Sequence, residues 1–126
     1  MTSMHRTELT RDGADAMRTD TALCALSLRR AAGEIPSEYT GVYAGDLLSR
    51  AMNHVHEGDI WITIMSNINV IAVASLTEAA CVILAEGVTM EPPVLAAAEE
   101  RGVCVLMSDF TVYELCRGLS ALEETP

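Results

Sequence analysis

The sequence predicts a three-layer α/β/α domain around a small, mainly parallel sheet of about four strands. Three observations lead to this prediction. Short apolar runs alternate with segments of helical periodicity, and such alternation requires parallel strands joined by helical crossovers on both faces of a sheet. Half of the residues are apolar but only 4% are aromatic, so aliphatic side chains carry the packing. With 126 residues, the chain is long enough for one core without covalent staples.

The chain begins with a polar segment, residues 1–18, that has no periodicity. We predict a flexible arm there and a single domain over residues 19–126. From Asp20 onward, apolar residues recur at helical spacing, which predicts a helix that stops at Gly33. The glycine- and proline-rich segment that follows allows only short extended pieces, of which residues 39–43 are the best candidate.

A second helix is predicted between Asp46, in its first turn, and Gly58, because apolar residues again recur at helical spacing. Residues 59–65 alternate apolar with β-branched side chains and predict a strand. A polar corner at residues 66–69 separates this strand from a helix rich in small apolar residues. The corner excludes a membrane span, which needs about 18 nearly uninterrupted apolar residues.

The C-terminal half continues the alternation of strands and helices. Residues 81–85 form an apolar run that is typical of a central parallel strand. The pair Pro92–Pro93 favours a helix start, because proline in the first turn loses no helical hydrogen bond. Another apolar strand is predicted at residues 103–108, and an amphipathic helix capped near residues 109–110 ends the chain.

The charge distribution excludes several classes of function. The formal net charge is -10, and all eight basic residues are arginine. An acidic surface without a basic cluster repels phosphate backbones and anionic lipids, so we expect neither a nucleic-acid partner nor a membrane partner. Without lysine, the chain has no side chain for Schiff-base catalysis and cannot complete a Walker-type phosphate loop.

The cysteines and histidines predict neither a metal site nor a cofactor. The cysteines are Cys24, Cys81, Cys104 and Cys116. They have apolar neighbours and form no CxxC pair, which predicts buried free thiols in a cytoplasmic protein. No N-terminal signal segment is evident, which agrees with that prediction. His54 and His56 stand two positions apart, about 200° around a helix axis, so they do not converge on one ion.

Three segments carry a resemblance to a known family: residues 40–52, the strand around Trp61, and the run from Asn69 to Ala74. Over about residues 20–122, the sequence resembles the DRTGG domain family, above all its small stand-alone members that are similar to the N-terminal domain of HPr kinase. The resemblance implies a regulatory or ligand-binding module that is often homodimeric. In larger members, the domain accompanies nucleotide-sensing CBS domains.

The sequence departs from the pattern that gives the family its name. The family's Asp-Arg pair is replaced by Asn67–Asn69, and its Gly-Gly pair by Glu86–Gly87. An anion-binding arginine is therefore missing at that position. Kinase chemistry is not predicted, because neither GxxxxGK[ST] nor GxGxxG occurs in the chain.

Candidate ligand-binding residues follow the predicted strands, because ligands of parallel α/β sheets bind at the carboxyl ends of the strands. These candidates are Asp46, Thr63, Ser66, Asn67, Asn69, Glu86 and Ser108. Two of them have structural alternatives: one asparagine of the corner caps the following helix, and Asp46 interacts with a helix dipole. Trp61 is expected either in the core or at a dimer interface.

The sequence thus predicts a regulatory or sensor module that binds a small polar ligand, for instance a nucleotide-like one, or a protein partner, without catalysis. A homodimer is expected from the family resemblance. One alternative is an enzyme acting on a phosphorylated or nucleotide-like metabolite through Asp46 and the Asn67–Asn69 corner. No Ser-His-Asp or Cys-His arrangement and no GxSxG motif favours an enzyme. The other alternative is a structural adaptor.

Overall fold

The computed structural model describes residues 16–124, which form an alternating series of strands and helices. The strands are β1 (Met17–Arg18), β2 (Arg29–Ala32), β3 (Glu38–Tyr39), β4 (Gly41–Ala44), β5 (Asp59–Thr63), β6 (Cys81–Leu84) and β7 (Val105–Met107). The helices are α1 (Thr19–Leu26), α2 (Leu48–His54), α3 (Ile68–Thr77), α4 (Pro92–Arg101) and α5 (Val112–Glu123).

The main sheet of the described residues has five strands in the order β2-β7-β6-β5-β4. Strands β4 to β7 are parallel, whereas β2 pairs antiparallel with β7 at one edge. The short strands β1 and β3 pair with each other outside this sheet. The structure confirms the predicted α/β class and mainly parallel sheet, and adds the antiparallel edge strand.

Helices cover both faces of the sheet and make the three predicted layers. Helices α2, α3 and α4 pack on the face that carries Trp61. Helices α1 and α5 pack on the face that carries Ile60 and Ile62, because successive side chains of β5 point to opposite faces. Strand β6 is buried at every position, which explains its uninterrupted apolar sequence.

The first predicted helix is too long. Helix α1 ends at Leu26, and Ser27 follows in the left-handed conformation with φ 53°. Residues from Arg29 to Ala32 then form the edge strand β2 instead of continuing the helix to Gly33. Pairing with β7 overrides the local helical spacing here, and the two exposed arginines suit an edge strand.

Two further helix starts differ from the prediction. Helix α2 begins at Leu48 with Leu47 as its N-cap, so Asp46 precedes the helix rather than lying in its first turn. Helix α5 is capped by Thr111, not by residues 109–110. Thr111 and Glu114 form a reciprocal capping box, so the helix starts one residue later than predicted.

The N-terminal arm predicted at residues 1–18 falls mostly outside the described residues, which start at residue 16. The last two residues of that segment, Met17 and Arg18, pair with Tyr39 and Glu38.

The prediction of buried free thiols is confirmed for Cys81 and Cys104. It is wrong for Cys24, which is exposed on α1, and Cys116 is only partly buried. No helix within residues 16–124 is long and apolar enough to cross a membrane.

Candidate functional site

The carboxyl ends of β4, β5, β6 and β7 meet at one edge of the sheet, which we call the rim. All of the candidate residues follow or end these strands. They do not form a single cluster, however. Asp46 contacts Thr63 at the β4–β5 end of the rim, whereas Glu86 and Ser108 belong to loops at the β6–β7 end.

At the β4–β5 end, hydrogen bonds hold the Gly45–Asp46 turn against β5. The indole N–H of Trp61 donates to the Gly45 carbonyl oxygen at 2.9 Å. The Thr63 hydroxyl and the Ile64 amide donate to Oδ1 of Asp46 at 2.8 and 3.0 Å. Trp61 is therefore a core residue rather than a surface anchor, and it is 0% exposed.

These bonds engage only one carboxylate oxygen of Asp46. Its other oxygen, Oδ2, has no hydrogen-bond donor among residues 16–124, and the side chain is exposed. The two carboxylate oxygens of Asp46 therefore have different roles. Oδ1 joins the ends of two strands, and Oδ2 remains available to accept a hydrogen bond from a ligand.

The polar corner between β5 and α3 contains the helix cap. Oδ1 of Asn67 accepts a hydrogen bond from the Asn69 amide at 2.9 Å, so Asn67 is the N-cap of α3. Ser66 is half-buried beside it. The side chain of Asn69 makes no hydrogen bond within the described part of the chain, and it faces a groove.

This groove runs between α2 and α3 and has a volume of about 490 Å³. We call it the α2–α3 groove. It is lined by Leu48, Ser49, Met52, Asn53, Asn69, Ala72 and Val73. All of these residues are uncharged, and three of them carry hydroxyl or amide groups. The groove is thus open and mainly apolar. Ser49 and Asn69 supply hydrogen-bonding groups near the rim, and Asn53 supplies one in the last turn of α2.

Sequence reasoning identified Asn69 but missed the groove residues of α2. Asn53 donates from Nδ2 to the Ser49 carbonyl oxygen at 3.0 Å, which leaves its Oδ1 as an acceptor. Ser49 and Asn53 lie within α2 and do not directly follow a strand, so the strand-end rule does not find them. The available signal is the helical spacing of Ser49, Met52 and Asn53, which places them on one face of α2.

The β6–β7 end of the rim is built differently. The amide of Glu86, which has φ 61°, donates to the Phe110 carbonyl oxygen at 2.8 Å. The Gly87 amide donates to the Ser108 carbonyl oxygen at 2.9 Å, so the β6–α4 and β7–α5 loops are joined by their backbones. Ser108 is 1% exposed, and its Oγ accepts from the Phe110 amide at 2.9 Å.

A second, smaller cavity of about 190 Å³ lies beside Ser108. We call it the Arg29 pocket. It is lined by Leu26, Ser27, Arg29, Ser108, Asp109 and Phe110. The antiparallel pairing of Arg29 with Met107 places the arginine next to the end of β7.

The two histidines within residues 16–124, His54 and His56, have local partners. Nδ1 of His54 lies 2.8 Å from the Arg50 carbonyl oxygen, and the His54 ring stacks on Tyr43 with centroids 5.9 Å apart. Nδ1 of His56 lies 3.6 Å from a carboxylate oxygen of Asp59. No group of three His, Cys, Asp or Glu side chains within residues 16–124 is arranged to hold a metal ion.

Shifted pKa values occur in the core under α1 and α5. Burial and the nearby Glu123 raise the pKa of Tyr39 to about 12. A hydrogen bond with Cys104, together with complete burial, raises the pKa of the Cys81 thiol. Both cysteines lie at the amino-terminal ends of β6 and β7, away from the rim, so this thiol pair does not belong to the candidate site.

Comparisons with known proteins identify a matching family and a similar solved structure. The DRTGG domain profile matches residues 41–122. The chain also resembles the CBS and DRTGG domains of the regulatory region of Clostridium perfringens pyrophosphatase, whose crystal structure is a complex with its activator, diadenosine tetraphosphate. The TM-score is 0.67 at 16% identity, over 84% of this chain and 47% of that one.

This chain therefore spans about half the length of the pyrophosphatase regulatory region, and at this identity the likeness shows the fold alone. A search among curated proteins found no match. The family profile covers most of the chain and includes both ends of the rim. The chain belongs to the DRTGG domain family.

Proposed function

We propose that this domain is a regulatory module that binds a nucleotide-like small molecule in the α2–α3 groove. The observation that carries the proposal is the groove itself, an open channel of about 490 Å³ that starts at the carboxyl ends of β4 and β5. Its volume lies within the roughly 300–1,000 Å³ that is usual for small-molecule sites. The strand-end position is the one that ligands of parallel sheets use.

The chemistry of the lining favours the base of such a ligand over its phosphates. A purine is flat, with apolar faces that suit Leu48, Met52 and Val73. Its edge carries hydrogen-bond donors and acceptors, and the amides of Asn53 and Asn69 supply matching groups, since asparagine can pair bidentately with adenine. No charged residue lines the groove, so the phosphates are expected to lie outside it.

Asp46 extends the proposed site beyond the base. It lies two residues before Leu48, which lines the groove, and its Oδ2 has no donor among the described residues. A ribose hydroxyl is a natural partner for a free carboxylate oxygen. The hydrogen bonds to Oδ1 hold this carboxylate in place before a ligand binds, which reduces the entropy cost of binding.

The pyrophosphatase region supports this ligand class, because its activator is a dinucleotide. A regulatory module must also pass the binding event to a partner, and we propose a homodimer in the cytoplasm as the unit that does so. The exposed apolar side chains of Leu47, Ile68 and Leu76, on or beside α2 and α3, support such a contact. Analytical ultracentrifugation at several concentrations tests it.

The proposed function is tested by thermal shift and calorimetry with adenosine, ATP and diadenosine tetraphosphate. A ligand that binds only the folded state adds about 2.7 kcal/mol of stability at a hundredfold excess over Kd. We expect all three compounds to bind, because they share the base. Chromatography of the same mixtures should show no product. Product formation that is lost in Asp46→Asn would instead support the enzyme.

A groove-filling variant identifies the site. Ala72→Phe places a large ring in the groove and should weaken adenosine binding at least tenfold, about 1.4 kcal/mol. Ala96→Phe, at an exposed position of α4, is the matched control and should leave binding unchanged. Equal affinities of the wild type and Ala72→Phe would contradict the proposal.

A further inference from the structure

We propose that the Arg29 pocket is a second binding site, which takes a small zwitterion of the free α-amino-acid type. The proposal does not rest on the nucleotide site. The pocket adjoins the end of α1, whereas the α2–α3 groove lies between helices on the opposite face of the sheet. The two sites are therefore separate.

The pocket carries one charge of each sign, and the two charges pair only weakly. Nη2 of Arg29 lies 3.5 Å from Oδ1 of Asp109, and the side chains are 53% and 78% exposed. By contrast, the Arg18–Asp20 pair has a distance of 2.7 Å. An exposed ion pair at the longer distance adds little stability, so both groups can exchange partners at low cost. Arg29 suits a carboxylate and Asp109 suits an ammonium group.

A buried hydroxyl adds a fixed donor to the pocket. Ser108 is 1% exposed and lies in the wall. Its Oγ accepts a hydrogen bond from the Phe110 amide at 2.9 Å, and its O–H meets no acceptor within the described residues. Backbone bonds to Leu84 and Gly87 hold Ser108 in place. The hydroxyl is thus positioned to donate to a ligand carboxylate next to Arg29.

Size and charge select the ligand class. A volume of about 190 Å³ is below the roughly 300–1,000 Å³ that is usual for sites of drug-sized ligands, which favours a molecule as small as an amino acid over a nucleotide. A dianion such as phosphate would meet the Asp109 carboxylate in a protein whose net charge is -10. A zwitterion has no net charge and satisfies both Arg29 and Asp109. The side chains of Leu26 and Phe110 provide an apolar wall for its substituent.

The test uses the full chain and isotope-edited NMR with free glycine, L-alanine, L-serine and L-leucine at millimolar concentration. At least one should shift the amide signals of Ser108, Asp109 and Phe110. Its methyl ester lacks the carboxylate and its N-acetyl derivative lacks the ammonium group, so each should bind about tenfold more weakly or not at all.

Variants locate the binding. Arg29→Gln and Asp109→Asn should each weaken amino-acid binding about tenfold, since each removes a charge-assisted hydrogen bond. Arg18→Gln removes an arginine from an exposed ion pair elsewhere and should change nothing. All three should bind adenosine as the wild type does, which separates this proposal from the nucleotide proposal. Failure of adenosine binding alone would leave the amino-acid result standing.

Three results would overturn the proposal. The first is that none of the four amino acids shifts the pocket signals. The second is that an ester or N-acetyl derivative binds as well as the free amino acid, which would remove the need for one charge. The third is that inorganic phosphate shifts the same signals while the amino acids do not, which would make the pocket an anion site.

Discussion

The two faces of the sheet differ in how their buried polar groups are used. On the face under α2, α3 and α4, Trp61 and Thr63 donate hydrogen bonds to the Gly45–Asp46 turn. On the side of α1 and α5, the hydroxyls of Thr19, the first residue of α1, and Tyr39, in β3, are buried without a hydrogen-bond partner among residues 16–124. An unmade hydrogen bond of this kind costs about 1–3 kcal/mol.

Buried donors that are hydrogen-bonded therefore lie at the turn beside the proposed nucleotide groove. The bonds around Asp46 fix the β4–β5 end of the rim, from which the proposed nucleotide groove starts. A site built on such a fixed turn is preorganised, and preorganised sites lose less entropy on binding. The unpaired hydroxyls of the other face make no comparable contribution.

The largest effect is expected for Trp61→Ala. Trp61 is fully buried and donates to Gly45, so truncation leaves a cavity and an unpaired carbonyl. We expect the free energy of unfolding to fall by about 3–5 kcal/mol. Urea unfolding followed by circular dichroism measures this, because the variant lacks the chain's only tryptophan. As a control, Tyr113→Ala removes a ring that is 70% exposed and should cost within about 0.5 kcal/mol.

The second prediction compares the stability loss on removing two carboxylates of the rim, those of Asp46 and Asp109. Asp46→Ala leaves the Thr63 hydroxyl and the Ile64 amide without their acceptor, so the free energy of unfolding should fall by about 1–3 kcal/mol. Asp109→Ala breaks only an exposed ion pair of 3.5 Å and should cost less than about 0.5 kcal/mol. Chemical denaturation of both variants gives the comparison. Equal losses would remove the distinction between the two ends of the rim.

Two buried threonines provide a matched pair, one associated with each face. Thr63→Val removes the donor to Asp46 and the acceptor of the Met65 amide, with an expected loss of about 1–2 kcal/mol. Thr19→Val removes a hydroxyl that has no partner, so stability should stay constant or rise. Calorimetry of thermal unfolding measures the stability of both variants relative to the wild type. A larger loss for Thr19→Val than for Thr63→Val would contradict the account.

The smallest effect at neutral pH is expected for Tyr39→Phe, which removes an unpaired buried hydroxyl and should leave stability unchanged or slightly higher. Burial raises the pKa of Tyr39 to about 12, compared with roughly 10 in an unfolded chain. The folded protein therefore holds the phenol proton more tightly. The resulting stability is complete below a pH of about 10 and is lost as the pH rises to about 12.

The measurement for this last variant is the difference in unfolding free energy between wild type and Tyr39→Phe across an alkaline pH series. The wild type should lose on the order of 2 kcal/mol more than the variant over that range. Parallel curves for the two proteins would show that Tyr39 holds its proton no more tightly in the folded state than in the unfolded one.

Much of the fold could be predicted because the central strands carry their own signal. Strand β6 is buried on both faces, so its residues are all apolar. Asn67 was one of two predicted caps of α3, and the structure selects it over Asn69. The edge strand β2 was missed because its partner β7 lies far along the chain, and local helical spacing gave the opposite indication.

The candidate site could be predicted only in part, for a related reason. The strand-end rule found Asp46 and Thr63 separately, but their hydrogen bond follows from the pairing of Ala44 with Ile62. The groove depends on the spacing between α2 and α3, which the sequence does not reveal. Ser49 and Asn53 were missed for that reason.

An NMR titration of the isotope-labelled protein with adenosine, which carries the base without phosphates, would show whether the α2–α3 groove is the ligand-binding site. We expect amide shifts that saturate and concentrate at residues 48–53 and 69–73, the two walls of the groove. Shifts concentrated elsewhere, or no shift at millimolar adenosine, would contradict the proposal.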